Sequence, residues 1–171
     1  MRDGCNFNQD HMKVFLRGKI TMSNKMNPVI HFEMPAKDME RVRKFYESAF
    51  GWQTTQLGPE MGNFVLAYTT ETDENRVPKK IGAINGGFFE KTEPDQHTKV
   101  TILVDDIREA MKKIEVAGGK VLGGSQKPGE PYELPGVGLF ATFIDTEGNV
   151  ASIYEDFGLS AKKNKNLPPK T

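Results

Sequence analysis

Apolar and polar positions along this chain follow two rhythms, and the order of the rhythms repeats. Val29 to Met34 reads as a strand that Pro35 ends. Asp38 then caps a helix on which Met39, Val42, Phe45, Tyr46 and Ala49 recur at helical spacing and make one apolar face, and Gly51 stops it. Trp52–Leu57, Asn63–Thr69 and Ile81–Phe89 read as three strands. The rhythm restarts with a strand at Lys99–Val104 and a helix capped by Asp106, with Glu109 completing a capping-box-like pair. Ile107, Ala110, Met111, Ile114 and Ala117 form that helix's apolar face, and Gly118-Gly119 stop it. Strands follow at Lys120–Leu122, Leu139–Ile144 and Val150–Glu155, the last two joined by a turn at Asp145–Asn149 in which Gly148 is free to take positive φ.

Each half is therefore βαβββ, and the predicted fold class is α+β. The domain spans 28–157, with modules at about 28–90 and 97–157 between tails at 1–27 and 158–171. One helix covers only one face of such a sheet. Two modules side by side make a curved sheet with a cavity on its open side. Strand phase assigns the faces. Ile30, Phe32 and Met34 suit the helix side, leaving Val29, His31 and Glu33 toward the cavity. Val100, Ile102 and Val104 likewise leave His97, Lys99, Thr101 and Leu103 toward the cavity.

Charge and composition narrow the function. The chain is neutral overall, with 23 basic and 23 acidic residues. Residues 1–27 carry a net +3 and residues 158–171 a net +4, which leaves the 28–157 core at −7 and argues against a nucleic-acid surface there. The tails read as solvated ends. No apolar run approaches the roughly 20 residues of a membrane helix, and the N-terminus shows no signal-peptide apolar region. The lone Cys5 excludes an internal disulfide and points to a reducing cytoplasm. Met12, Met22 and Met26 leave open a later start.

Five segments, in this order and spacing, carry a family resemblance: Val29-Ile30-His31-Phe32-Glu33-Met34-Pro35; Arg43-Lys44-Phe45-Tyr46-Glu47 with Phe50-Gly51-Trp52; Val104-Asp105-Asp106-Ile107; Ala117-Gly118-Gly119-Lys120-Val121; and the Asp145–Asn149 turn. The chain resembles the vicinal-oxygen-chelate superfamily of glyoxalase I, bleomycin-resistance proteins and extradiol dioxygenases. Within it the chain looks most like bacterial proteins described as related to lactoylglutathione lyase. The resemblance implies a glyoxalase-like fold, a small-molecule ligand and pairing of modules within or between chains, hence a homodimer. It also implies that metal-dependent members hold a divalent ion with His or Glu on the first, third or fourth, fifth and last strands. His31 falls at the first of these positions, but Lys99 and Ser152 stand at the fifth-strand and last-strand positions. An ammonium repels a divalent ion, and Ser is a poor ligand for Ni, Zn, Fe(II) or Mn. No metal or other cofactor is expected, and His31 is the metal residue only if an ion is present. The resemblance also places Val150, Ser152 and Tyr154 in the cavity, so the candidate ligand-binding set is His31, Glu33, Lys99, Ser152, Tyr154 and Trp52.

Two functions compete. One is metal-independent binding of an aromatic or oxygen-rich small molecule, in the style of bleomycin-resistance proteins. The other is a metal-dependent lyase, isomerase or dioxygenase using a shifted ligand set of His31, Glu33 (about 7 Å along the strand) and His97. A structural or regulatory module is a third reading. Trp52 also reads as a core residue at the module edge, and His97 as an exposed loop residue. Asn85-Gly86-Gly87-Phe88 is no phosphate loop, lacking a following helix and a Lys-Ser/Thr pair, and reads as a bend at a strand end. Gln126–Pro135, with three prolines and Tyr132, reads either as a cavity lid or as a plain connector.

Overall fold

The computed structural model describes residues 26–74, 77–124 and 127–158. Both tail readings, Cys5 and the alternative start at Met12 or Met22 lie outside the described residues. The elements are β1 (Val29–Ala36), α1 (Met39–Phe50), β2 (Gln53–Gln56), β3 (Val65–Tyr68), β4 (Asn85–Glu90), β5 (Lys99–Val104), α2 (Ile107–Val116), β6 (Lys120–Gly123), β7 (Tyr132–Leu134), β8 (Gly138–Ile144) and β9 (Val150–Asp156). They build one mixed, curved, unclosed sheet in the order β2-β3-β4-β1-β5-β9-β8-β6, with β7 added beside β8.

The repeat is visible in the pairing. β1 runs parallel to β4 as β5 runs parallel to β9, and β1 and β5 join the halves edge to edge, antiparallel. Both helices start as the caps predict. Asp38 accepts from the Arg41 amide at 2.9 Å and Asp106 from the Glu109 amide at 2.8 Å, each satisfying a first-turn donor. The Glu109 side chain does not close a capping box; it pairs with Lys113 at 2.6 Å. Gly51, at φ 68°, ends α1 in the left-handed conformation that disfavours other residues.

Each module has its own core under its helix. Ala36, Val65, Ala67 and Phe88 are buried beneath α1, with Met34, Met39, Val42, Tyr46 and Trp52 packed on them. Val104, Ile107, Met111, Ala141 and Ile153 do the same beneath α2. Phe45 does not join its predicted apolar face; it is 57% exposed.

Three strand readings change. β1 continues through Pro35 to Ala36, because its pairing with β5 stops at Glu33 and no partner there needs the missing amide hydrogen. β4 starts at Asn85, four residues after the predicted Ile81, since Ile81 is fully exposed and Gly82 turns with φ 79°. Within Gln126–Pro135, read as a lid or a connector, Tyr132–Leu134 is a strand paired antiparallel to β8. No helix among the described residues is long and apolar enough to cross a membrane.

Candidate functional site

Strand alternation places a continuous set of side chains on the face without helices. His31 and Glu33 of β1 stand opposite Thr101 and Lys99 of β5. Thr101 stands beside Ser152 of β9, and Ser152 opposite Thr142 of β8. Asn85 of β4 flanks His31 on the other side. One row across five strands thus reads Asn85, His31, Thr101, Ser152, Thr142, all polar. Thr101 is 2% and Ser152 4% exposed.

The next row holds the charges. Lys99 Nζ lies 3.0 Å from Glu33 Oε2, with side chains 23% and 16% exposed. The Thr101 hydroxyl donates to Glu33 Oε1 at 3.3 Å. Lys99 also sits over the Phe89 ring, 5.3 Å from its centroid, a cation–π contact that helps hold the ammonium. Gly87 stands opposite Glu33, and a side chain there would collide with the Phe64 ring and the Val65 carbonyl oxygen. Gly86-Gly87 are therefore interior β4 residues that admit neighbouring atoms closely, not a bend at the strand end.

Aromatic rings close both ends. Phe64 stacks against His31 at 6.2 Å. At the far end Tyr154 stacks on Phe140 at 4.4 Å, and Phe140 on Tyr132 at 5.7 Å. The Tyr154 hydroxyl donates to Asp156 Oδ2 at 2.9 Å and lies 3.1 Å from the Val137 carbonyl oxygen. Burial, that hydrogen bond and the Asp156 charge push its pKa far up. The phenol therefore stays protonated and committed within the protein; what it offers the face is its ring. Burial and then the nearby Glu33 charge raise the Tyr132 pKa as well.

Burial lowers the His31 pKa below the 6.5 of a free histidine; Glu33 opposes this and Lys99 adds to it. Imidazole is consequently neutral at pH 7, with one donor and one acceptor nitrogen. Asn85 Oδ1 accepts from the Thr69 amide at 2.8 Å, which turns Nδ2 into a buried position without a partner among the described residues.

The six predicted site residues divide. His31, Glu33, Lys99, Ser152 and the Tyr154 ring share the helix-free face. Trp52 does not: it stacks on Tyr46 of α1 at 4.5 Å and lies 5.7 Å from Phe32, inside the core beneath α1. The chain emerges from α1 on the helix side, and Trp52 precedes the first residue of β2, so sheet alternation does not carry it across. His97 is exposed and precedes β5. Among the described residues no three His, Cys, Asp or Glu side chains gather closely enough to hold an ion. Sequence reading passed over Asn85, Phe64, Phe89, Phe140 and Thr142. Strand alternation combined with register could have found four of them, whereas Phe64 precedes β3 and lies beyond any alternation rule.

Comparison with known proteins places this geometry. The profile of the bleomycin resistance protein-like N-terminal family matches residues 29–69, from the start of β1 to just past β3. A glyoxylase-like domain-containing protein of Didymella fabae is 32% identical over 126 residues, covering 71% of this chain and 88% of that protein. The chain belongs to the vicinal-oxygen-chelate superfamily. A chloroplastic protein of Arabidopsis thaliana described as a probable lactoylglutathione lyase is 27% identical over 124 residues, covering 71% of this chain and 33% of its own length. This member thus spans about a third of that plant relative. Methylmalonyl-CoA epimerase of Streptomyces coelicolor shares the fold, with TM-score 0.56 and 15% identity over 78% of this chain and 99% of the epimerase. The edge-to-edge repeat of this superfamily member makes the helix-free face its candidate ligand surface.

Proposed function

We propose that this chain binds a small molecule on the helix-free face of its sheet, without the complete metal-ligand set of metal-dependent superfamily members. The observation that carries this reading is the Glu33–Lys99 ion pair at 3.0 Å. Lys99 stands where the resemblance puts a fifth-strand ligand, and its ammonium occupies the one carboxylate beside His31. Ser152 takes the last-strand position with a hydroxyl, a weak donor for borderline metals. This donor set does not fit a divalent ion. What the face offers instead is a neutral imidazole, a row of hydroxyls and aromatic rings at both ends. A few placed polar groups among apolar walls is the usual make-up of a small-molecule site. It suits a neutral or singly charged ligand with an aromatic portion.

Elemental analysis of protein purified without chelator tests the reading. The expected result is no stoichiometric Ni, Zn, Fe or Mn in the unmodified chain, and gain of metal in the Lys99→His, Ser152→Glu double variant. Stoichiometric metal in the unmodified chain, lost on His31→Ala, overturns it in favour of a metal-dependent lyase, isomerase or dioxygenase.

A further inference from the structure

The two modules are filled unequally on the helix side. Aligned on their caps Asp38 and Asp106, they match Val42 with Ala110 and Tyr46 with Ile114. The sheet matches Phe88, opposite Met34, with Ile153, opposite Ile102. In the first module the Tyr46 ring stacks on Trp52 at 4.5 Å and lies 5.2 Å from Phe88. The second module has no ring at any of these places, and the residue that matches Trp52 is the exposed Lys120.

The volume left over is a groove of about 460 Å3 beside α2, floored by Ile102, Phe143 and Ile153 and walled by Ala110 and Ile114. It lies on the opposite face from His31 and Lys99, so it is not the ligand surface. Asn27 is part of its lining. The Leu103 amide donates to the Pro28 carbonyl oxygen at 2.9 Å, which ties the entry into β1 to the end of β5, beside the start of α2. The chain that precedes β1 is thus led to the mouth of the groove. The other terminus is directed elsewhere: the Phe157 amide donates to the Val137 carbonyl oxygen, and among the described residues none beyond Ile153 lines the groove.

We propose that the N-terminal segment of the same chain covers the groove, with Phe15 and Leu16 seated on its apolar floor. Val14-Phe15-Leu16 is the longest apolar run before Asn27, and Phe15 supplies a ring of the kind the second module lacks. Residues 159–171 contain no aromatic side chain and cannot do so. Leu16 precedes Asn27 by eleven residues, a length of chain that extends to about 36–40 Å and so reaches every part of a groove that begins at Asn27. The tether also sets a high effective concentration, so a contact too weak to hold a separate peptide is still made. The segment then completes the core of the second module, in place of a fully solvated end.

The experiment is methyl NMR of the full chain carrying a nitroxide on Met12→Cys in a Cys5→Ser background. The Ile102, Ile114 and Ile153 methyl signals are expected to broaden, and those of Ile81 and Ile84, in the β3–β4 connection, to stay sharp. Phe15→Ser with Leu16→Ser should lower occupancy of the groove about tenfold or more and abolish the broadening; both changes lie outside the described residues, and circular dichroism shows the variant folded. A nitroxide on Asn164→Cys should leave the three groove signals sharp. Groove signals that stay sharp, or broaden no more than Ile81, overturn the proposal. So does broadening that survives the double serine change, that comes from Asn164→Cys instead, or that appears when the nitroxide chain is mixed with isotope-labelled chain lacking it, which would make the occupant a second copy.

Discussion

Replacing Lys99 by Met isolates the energetics of the ligand face. The change keeps the side-chain length and the packing on Phe89 but removes the ammonium 3.0 Å from Glu33. Glu33, 16% exposed, is then left with the Thr101 hydroxyl at 3.3 Å as its recorded partner. Exposed pairs are worth about 0–1 kcal/mol, and breaking a fully buried pair costs about 3–5 kcal/mol. This pair lies between those limits, so the expected loss is about 2 kcal/mol, or about 4–8 °C in Tm for a domain of this size. Glu33→Gln should cost about half as much, roughly 1 kcal/mol, because the lysine stem is flexible and can carry its charge to water. Lys99→Met combined with Glu33→Leu should lose less than Lys99→Met alone, since no uncompensated charge remains. Urea denaturation followed by circular dichroism measures all three. A Lys99→Met loss under about 0.5 kcal/mol, or purely additive single losses, would refute the view that the pair is a coupled, largely buried unit.

Two further outcomes follow from the same face. Because the folded His31 pKa lies below the unfolded 6.5, the unfolded chain takes up the proton first as pH falls. The His31 contribution to stability is therefore full above about pH 6.5 and is lost as pH falls from there toward the folded value. The wild type should lose stability relative to His31→Gln between about pH 7.5 and 5; by NMR the imidazole midpoint should lie below 6.5 and rise in Lys99→Met, and a midpoint at or above 6.5 would contradict the burial argument. Gly138→Ala would drive its Cβ into the Glu155 carbonyl oxygen and the Tyr154 ring. It should cost about 1–3 kcal/mol by overpacking, visible as a lower urea midpoint and a changed near-ultraviolet signal from the Tyr154–Phe140 stack; an unchanged midpoint would show that β8 and β9 can part there freely.

The helices and the repeat were legible because their signals are local. A cap, a 3.6-residue stripe and a terminal glycine all act within one element, and Asp38 and Asp106 cap as read. Faces within β1 and β5 were legible because alternation is rigid once one residue is assigned. What sequence could not supply was register and loop phase. Trp52 precedes β2, so no alternation rule reaches it, and its ring goes to the core beneath α1. Phe45 fits the helical stripe by spacing, yet Tyr46 takes the inward place and Phe45 is left outside. β7 was hidden by the prolines around it. Its pairing depends on β8, which no local pattern announces. The Tyr154 hydroxyl stays in the protein because Asp156, two residues along the same strand, lies beside it; the spacing was visible, the side-chain approach was not.

The charge pattern of the helix-free face has a consequence for what can bind there. A lysine attached to the chain delivers one positive charge, and here Glu33 neutralises it at 3.0 Å. The pair as a whole adds little net charge to the face, and its two opposing influences on His31 partly cancel, leaving burial as the leading cause of its lowered pKa. A ligand with several anionic groups would find no surplus of cations to replace the water it gives up, and its desolvation would go uncompensated. A ligand with one polar end and a flat apolar body loses less. Its body can rest on Phe64 or on the Tyr154–Phe140–Tyr132 stack, while its polar end meets the His31 and hydroxyl row. Selection at this face should therefore favour one carbonyl, phenol or ether oxygen on a flat apolar body over additional charge.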